Sequence, residues 1–256
     1  MIRFVPIIEN PFFMKLIKFL PNLLTLLNLL SGCLAAVYAV NNQIQFAVLF
    51  VMLGIFFDFF DGFVARLLHV QSELGTQLDS LADMVTSGVV PGIVMTQMLL
   101  KASSQEPLGF TDGFENFPYL ALIGFTITLA SCYRLANFNI DVNQKENFIG
   151  LPTPANTLFI LSLPLMQMYD EYEYISYVLE NEYLLILITA LSCYMLNAKI
   201  ELFALKFKTF DFAQNKLKYT FLILSVVLIA ILKLAALPVI ILTYLALSII
   251  SNSRNK

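Results

Sequence analysis

GIFFDFFDGFVARLLHVQSELGTQLDSLADMV (54–85) decides how this chain is read, because it plants four carboxylates in apolar sequence. Asp58 and Asp61 are three apart, and Asp79 and Asp83 four apart, so each pair occupies one face of a helix. The loop between the two helices is short (67–74), which makes them antiparallel neighbours. At 1.5 Å rise per residue, Asp61 and Asp58 lie roughly 8 to 14 Å below that loop, and Asp79 and Asp83 roughly 6 to 12 Å below it. The depths match, so the four acids converge at one level. An acid inside an apolar span costs about 2.5 to 3.5 kcal/mol on insertion scales, and four together call for a compensating charge. Oxygen ligands select a hard divalent cation such as Mg²⁺, Mn²⁺ or Ca²⁺ rather than zinc, and four carboxylates on two helices suit a pair of ions.

The rest of the chain supplies the membrane this argument assumes. Of 256 residues 59% are apolar and 13% charged, which excludes a large soluble domain. A net charge of -3 with no extended basic face excludes nucleic acid as a partner. Apolar runs at about 21–40, 44–66, 75–100, 117–138, 153–169, 183–198, 219–236 and 237–251 predict an all-α, polytopic membrane bundle of about eight helices. Under that scheme every Lys and Arg except Lys101 and Lys233 falls on one side, which places both termini in the cytoplasm and the acidic segment 170–182 outside. Residues 1–20 lack a small-residue cleavage site, and the stretch from 11 to 20 carries Lys15 and Lys18 among Phe, Leu and Ile, as an interfacial helix would. Cys33, Cys132 and Cys193 are scattered through apolar runs and read as packing residues. With no internal repeat, 1–256 is one membrane domain, divided into an interfacial segment (1–20), a catalytic core (21–170) and C-terminal spans (183–251).

Asp58-x2-Asp61-Gly62-x2-Ala65-Arg66-x8-Gly75-x3-Asp79-x3-Asp83 resembles the complete signature of the CDP-alcohol phosphotransferase family. That resemblance implies an integral membrane enzyme that displaces CMP from a CDP-linked alcohol with an incoming hydroxyl. It further implies Asp58, Asp61 and Asp79 as metal ligands, and Asp83 as general base that also touches metal. Gly62, Arg66 and Ser72 would contact the CDP group, the cofactor would be Mg²⁺ or Mn²⁺, and the assembly would be a homodimer. The segments PNLLTLLNLLSG (21–32), RLANFN (134–139) and GLPTPAN (150–156) resemble the serine-using branch of the family in bacteria, with CDP-diacylglycerol as donor and L-serine as acceptor at the cytoplasmic face of the inner membrane.

Within that frame three further groups acquire roles. Asn22, Thr25 and Asn28 recur every three residues on one stripe of the first span; Asn22 and Thr25 are assigned to the nucleotide, and Asn28 to contacts between helices. Arg134, with Asn137 assisting, stands where an acceptor enters, and its guanidinium fork matches a carboxylate. Gly150, Pro152 and Pro154 form a turn opening the fifth span, and His69 is a solvated loop residue. Two other readings compete. A phosphorylated acceptor such as glycerol 3-phosphate or inositol phosphate would call for more cations than Arg134 and Lys145 between 134 and 152. A divalent-cation transporter would use the acids as an ion path, but the halves of the chain show no matched repeats.

Overall fold

The computed structural model describes residues 11–103, 119–140, 148–168, 173–202 and 215–254. The apolar runs become helices, the form in which a segment surrounded by lipid satisfies its own backbone. They are α1 (Pro11–Val40), α2 (Ile44–Leu67), α3 (Glu73–Ala102), α4 (Ala121–Ile140), α5 (Thr153–Gln167), α6 (Glu173–Leu179), α7 (Glu182–Asn197), α8 (Lys216–Leu232) and α9 (Ala236–Arg254). Two short strands, β1 (Phe148–Ile149) and β2 (Glu201–Leu202), pair antiparallel beside the helices.

The bundle is built around α3. Of its most apolar window 78% is buried, against 22% to 33% in the other membrane-length helices, so α3 is the central rod and the others surround it. Val94, Met95 and Leu99 of α3 pack with Ala35 and Ala39 of α1, Val51 of α2, and Ile160 and Leu161 of α5. The outward faces are apolar as well, with Leu30, Val37, Leu49, Phe56 and Phe59 exposed, the distribution expected where lipid replaces water. Gln97 reaches from α3 to donate a 2.7 Å hydrogen bond to the Val40 carbonyl at the otherwise open end of α1.

Three helices meet at Thr86. A Cβ built on Gly32 of α1 would collide with the Thr86 Oγ1, and one on Gly54 of α2 would come within 2.7 Å of its methyl and 2.9 Å of Asn28 Oδ1. Both glycines therefore exist to let α1 and α2 close onto α3. Gly54→Ala should lower the thermal unfolding midpoint of detergent-purified protein, at a cost of about 1 to 3 kcal/mol for overpacking; an unchanged midpoint would mean that the crossing has slack. At this crossing α3 departs from α-helical form, and Met84–Val89 is π-helical.

The all-α, polytopic membrane fold stands. Among the described residues five stretches are long and apolar enough to cross a membrane, or six if α6 and α7, bent by 80°, count as one. Helix α5, at 15 residues, rises only about 22 Å and falls short of a bilayer core. The two expected closing runs, 219–236 and 237–251, correspond to α8 and α9, and the apolar stretch Lys216–Ser251 that holds them is broken at Lys233, where φ is +49°. That stretch folds back as a hairpin, since Phe221 and Tyr244 meet with ring centroids 5.6 Å apart. The expected interfacial helix at 11–20 is not a separate element: α1 runs unbroken from Pro11 through Pro21, and residues 1–10 lie outside the described residues. The acidic segment 170–182, expected to be a loop, contains α6; Arg3, Lys145, Lys206, Lys208 and Lys256 of the charge distribution lie outside the described residues.

Candidate active site

The antiparallel pairing expected of α2 and α3 brings the acids together. One oxygen from each of Asp58, Asp61 and Asp79 lies within 4.8 Å of the other two, close enough to share an ion. Asp58 and Asp79 are within hydrogen-bonding reach of each other, and Asp79 Oδ1 is buried with no hydrogen-bond partner. Such an orphaned oxygen inside an apolar bundle is costly unless something positive meets it. The set fits a divalent cation in three respects: all its donors are hard oxygens, they come from two rigid helices, and one of them is left open.

Asp83 stands apart from this trio. Its Oδ1 accepts a 3.2 Å hydrogen bond from Asn28 Nδ2 of α1, and it faces Asp79 and Arg134 electrostatically. Asp61 is held by Thr25, whose hydroxyl donates to Oδ2 at 2.5 Å and also reaches the Pro21 carbonyl at 3.1 Å. Thr25 thus supports a member of the acidic trio as well as facing the adjoining cleft.

Among the described residues two clefts open on the acids. The first, about 180 Å³, is lined by Asn22, Thr25, Asp61, Gly62, Arg66 and Ser72, among others, so all five residues expected to bind the donor nucleotide share one wall system. Gly62 has a structural reason to lack a side chain, because the Arg66 guanidinium lies over it with Nη1 3.3 Å from where a Cβ would be. Ser72 caps α3, its Oγ accepting from Gly75 N at 3.0 Å, which leaves its hydroxyl proton to donate into the cleft. The second cleft, about 380 Å³, joins Asp58, Asp61, Asp79 and Asp83 to Arg134, with Pro152 and Pro154 on the far wall. Gly150 sets that wall: with φ +74° and its Cβ position 2.6 Å from the Leu196 carbonyl oxygen, only glycine fits the turn before α5.

Arg134 is buried, at 8% exposure, and its Nε has no hydrogen-bond partner. It also lines a third cleft of about 640 Å³ with Asn137, Lys199 and Glu201, so it is the wall between that cleft and the acids. Asn137 lines the third cleft but not the acidic one. His69 adopts φ +53° just after α2 and is exposed, a backbone role at a helix end. Cys33 and Cys132 are exposed on the outer surface and Cys193 is half-buried; all three are free thiols.

Several residues of the site escaped the sequence. Lys199 and Glu201 reach the third cleft only because β2 pairs with β1, and a two-residue strand leaves no periodic signal. Ser80, which donates to Asn139 Oδ1 at 3.1 Å and ties α3 to the end of α4, was visible only as a polar residue next to Asp79.

A bundle with a shared acidic centre between its second and third helices is a defined class. The CDP-alcohol phosphatidyltransferase family model matches residues 18–194, and the chain belongs to that family. Among individual proteins it is similar to the CDP-diacylglycerol–serine O-phosphatidyltransferase of Bacillus subtilis, with 33% identity over 138 residues, covering 54% of this chain and 70% of that one. It is also similar to the archaetidylserine synthase of Methanothermobacter thermautotrophicus (31% over 158 residues; 59% of this chain, 60% of that one). The CDP-diacylglycerol–serine O-phosphatidyltransferase of Saccharomyces cerevisiae is 31% identical over 171 residues, spanning 60% of this chain and 56% of the yeast protein. The chain thus matches little more than half the length of the last two.

Proposed function

We propose that this protein transfers a phosphatidyl group from CDP-diacylglycerol to the hydroxyl of L-serine, releasing CMP. The observation that carries the proposal is Arg134, buried with a free Nε and standing between the four acids and a cleft of mixed charge. Serine carries a carboxylate, and that cleft offers it two cations, Arg134 and Lys199. A phosphorylated acceptor would call for more cations than Arg134 and Lys199 bring to that cleft, which is why serine is preferred over glycerol 3-phosphate or inositol phosphate. The ion-path reading has no support from the family.

In this account Asp58, Asp61 and Asp79, with Asp83 adjoining, would hold the divalent cation, Mg²⁺ or Mn²⁺, as a pair of ions. When bound, the cation supplies positive charge to the diphosphate of the donor and to the departing CMP. Asn22, Thr25, Gly62, Arg66 and Ser72 form the nucleotide side of the centre, with Arg66 offering its guanidinium to a phosphate oxygen. Arg134 grips the serine carboxylate, assisted by Asn137, and so aims the hydroxyl at the acids. Asp83 takes the hydroxyl proton as the serine oxygen bonds to the lipid-side phosphorus and the bond from that phosphorus to the CMP oxygen breaks. In this reading the active site and both termini face the cytoplasm at the inner membrane, as the distribution of Lys and Arg implies, and the family resemblance implies a homodimer among membrane lipids. Purified protein given CDP-diacylglycerol and each acceptor in turn should release CMP with L-serine and not with glycerol 3-phosphate or inositol phosphate. Release with a phosphorylated acceptor alone would keep the chemistry and replace the substrate.

A further inference from the structure

Asp83 is followed at once by the π-helical segment, and what that segment holds in place bears on the proton transfer. Thr86, 1% exposed, donates from Oγ1 to Asn28 Oδ1 at 2.8 Å, and Asn28, fully buried, donates from Nδ2 to Asp83 Oδ1 at 3.2 Å. The polarity of this chain is fixed by chemistry. An ionised carboxylate only accepts, so the amide must turn its NH₂ toward Asp83 and its oxygen away, where the Thr86 hydroxyl meets it.

The Thr86 side chain has little room to choose another rotamer. Its hydroxyl is crowded by Gly32 and its methyl by Gly54, and its Oγ1 is also 3.3 Å from the Asn28 backbone carbonyl oxygen. The backbone beneath it is held from two other helices. Thr157 of α5 shares its hydroxyl between the Ser87 carbonyl and its own Thr153 carbonyl, each at 2.9 Å, and Thr128 of α4 donates to the Gly88 carbonyl at 2.9 Å. A π turn leaves carbonyls outside the regular ladder, and here threonines from neighbouring helices take two of them.

We propose that Thr86 and Asn28 are positioning residues that fix the Asp83 carboxylate, engaging Oδ1 so that Oδ2 is presented to the acceptor hydroxyl. The inference rests on the assignment of Asp83 as the base. It gives Asn28 a role in turnover beyond joining two helices, and it gives the π turn a purpose: to place a rigid hydroxyl behind the base.

Thr86→Val keeps the shape of the side chain and removes the donor, whereas Thr86→Ser keeps the donor and removes the methyl. Thr86→Val should lower kcat about 10-fold, and Asn28→Ala on the order of 10²-fold, with the KM values for CDP-diacylglycerol and serine within about twofold of the parent. Thr86→Ser should restore kcat to within about threefold. Because Thr86 acts through Asn28, the double variant Asn28→Ala/Thr86→Val should be no slower than Asn28→Ala alone. A parental kcat in Thr86→Val, an equal loss in Thr86→Ser, or multiplying effects in the double variant would each overturn the proposal. Asp83→Asn separates this from its premise. If Asp83→Asn is inactive while Thr86→Val is normal, the positioning role alone fails; if Asp83→Asn turns over normally, the base assignment fails and the positioning role falls with it.

Discussion

Asp58→Asn, Asp61→Asn and Asp79→Asn should each reduce CMP release by about 10³-fold or more in detergent-purified protein supplied with Mg²⁺ or Mn²⁺. The side chain changes by one atom and keeps its volume, so packing between α2 and α3 survives while a negative ligand is lost. The trio makes the expectation severe: with one oxygen of each acid within 4.8 Å of the others, no spare carboxylate in the trio can take over. A merely structural role predicts a different pattern, since protonated acids hydrogen-bonding across the bundle would be well replaced by amides. Activity at or near the parental level in any of the three variants would remove that acid from the metal centre.

The second large effect belongs to Arg134. Arg134→Ala should raise the KM for serine by at least about 10-fold and leave the KM for CDP-diacylglycerol within about twofold, because the loss falls on the acceptor's carboxylate. Arg134→Lys should recover only part of the affinity, since an ammonium cannot reproduce the paired contacts of a guanidinium. Steady-state kinetics with each substrate varied in turn decides the matter. Equal rises in both KM values would assign Arg134 to the diphosphate, to which the acidic cleft it also lines gives access.

How these parts could be read in advance differs from part to part. The four acids were legible because charge in an apolar run has few explanations and because helix geometry fixes their depth; the folded chain brings three of them within ligand distance. The grouping around Arg66 was legible from two sources, resemblance for Gly62, Arg66 and Ser72 and the polar stripe of the first span for Asn22 and Thr25, and all five line one cleft. The π turn was invisible, because a six-residue change of helical pitch leaves the apolar content of α3 untouched. Arg134 was legible as a cation near the mouth, but its place as a wall between two clefts depends on α4 packing beside α3 and on the β1–β2 pair, neither of which has a local signature. The helix ends were harder to read for a related reason. Hydropathy records how apolar a run is, whereas whether α5 is long enough to cross, and whether 216–251 folds back on itself, is settled by helix ends and by contacts such as Phe221 with Tyr244.

Glycines were a partial exception. Gly62 and Gly75 belong to the signature, and the space at each is filled by a neighbour lining the same cleft: Arg66 over Gly62, Asn22 and Ser72 beside Gly75. Gly32 and Gly54 lie outside the signature yet carry the tighter packing, because they admit Thr86 to the crossing of α1, α2 and α3.

The most direct test of the central claim is the stoichiometry of one reaction. Purified protein incubated with CDP-diacylglycerol and L-serine, with lipid products and CMP both quantified, should yield phosphatidylserine and CMP in a one-to-one ratio. The reaction should stop when a chelator removes divalent cations and resume when Mg²⁺ or Mn²⁺ is restored. CMP release that does not depend on serine, or turnover that the chelator leaves unchanged, would contradict the account.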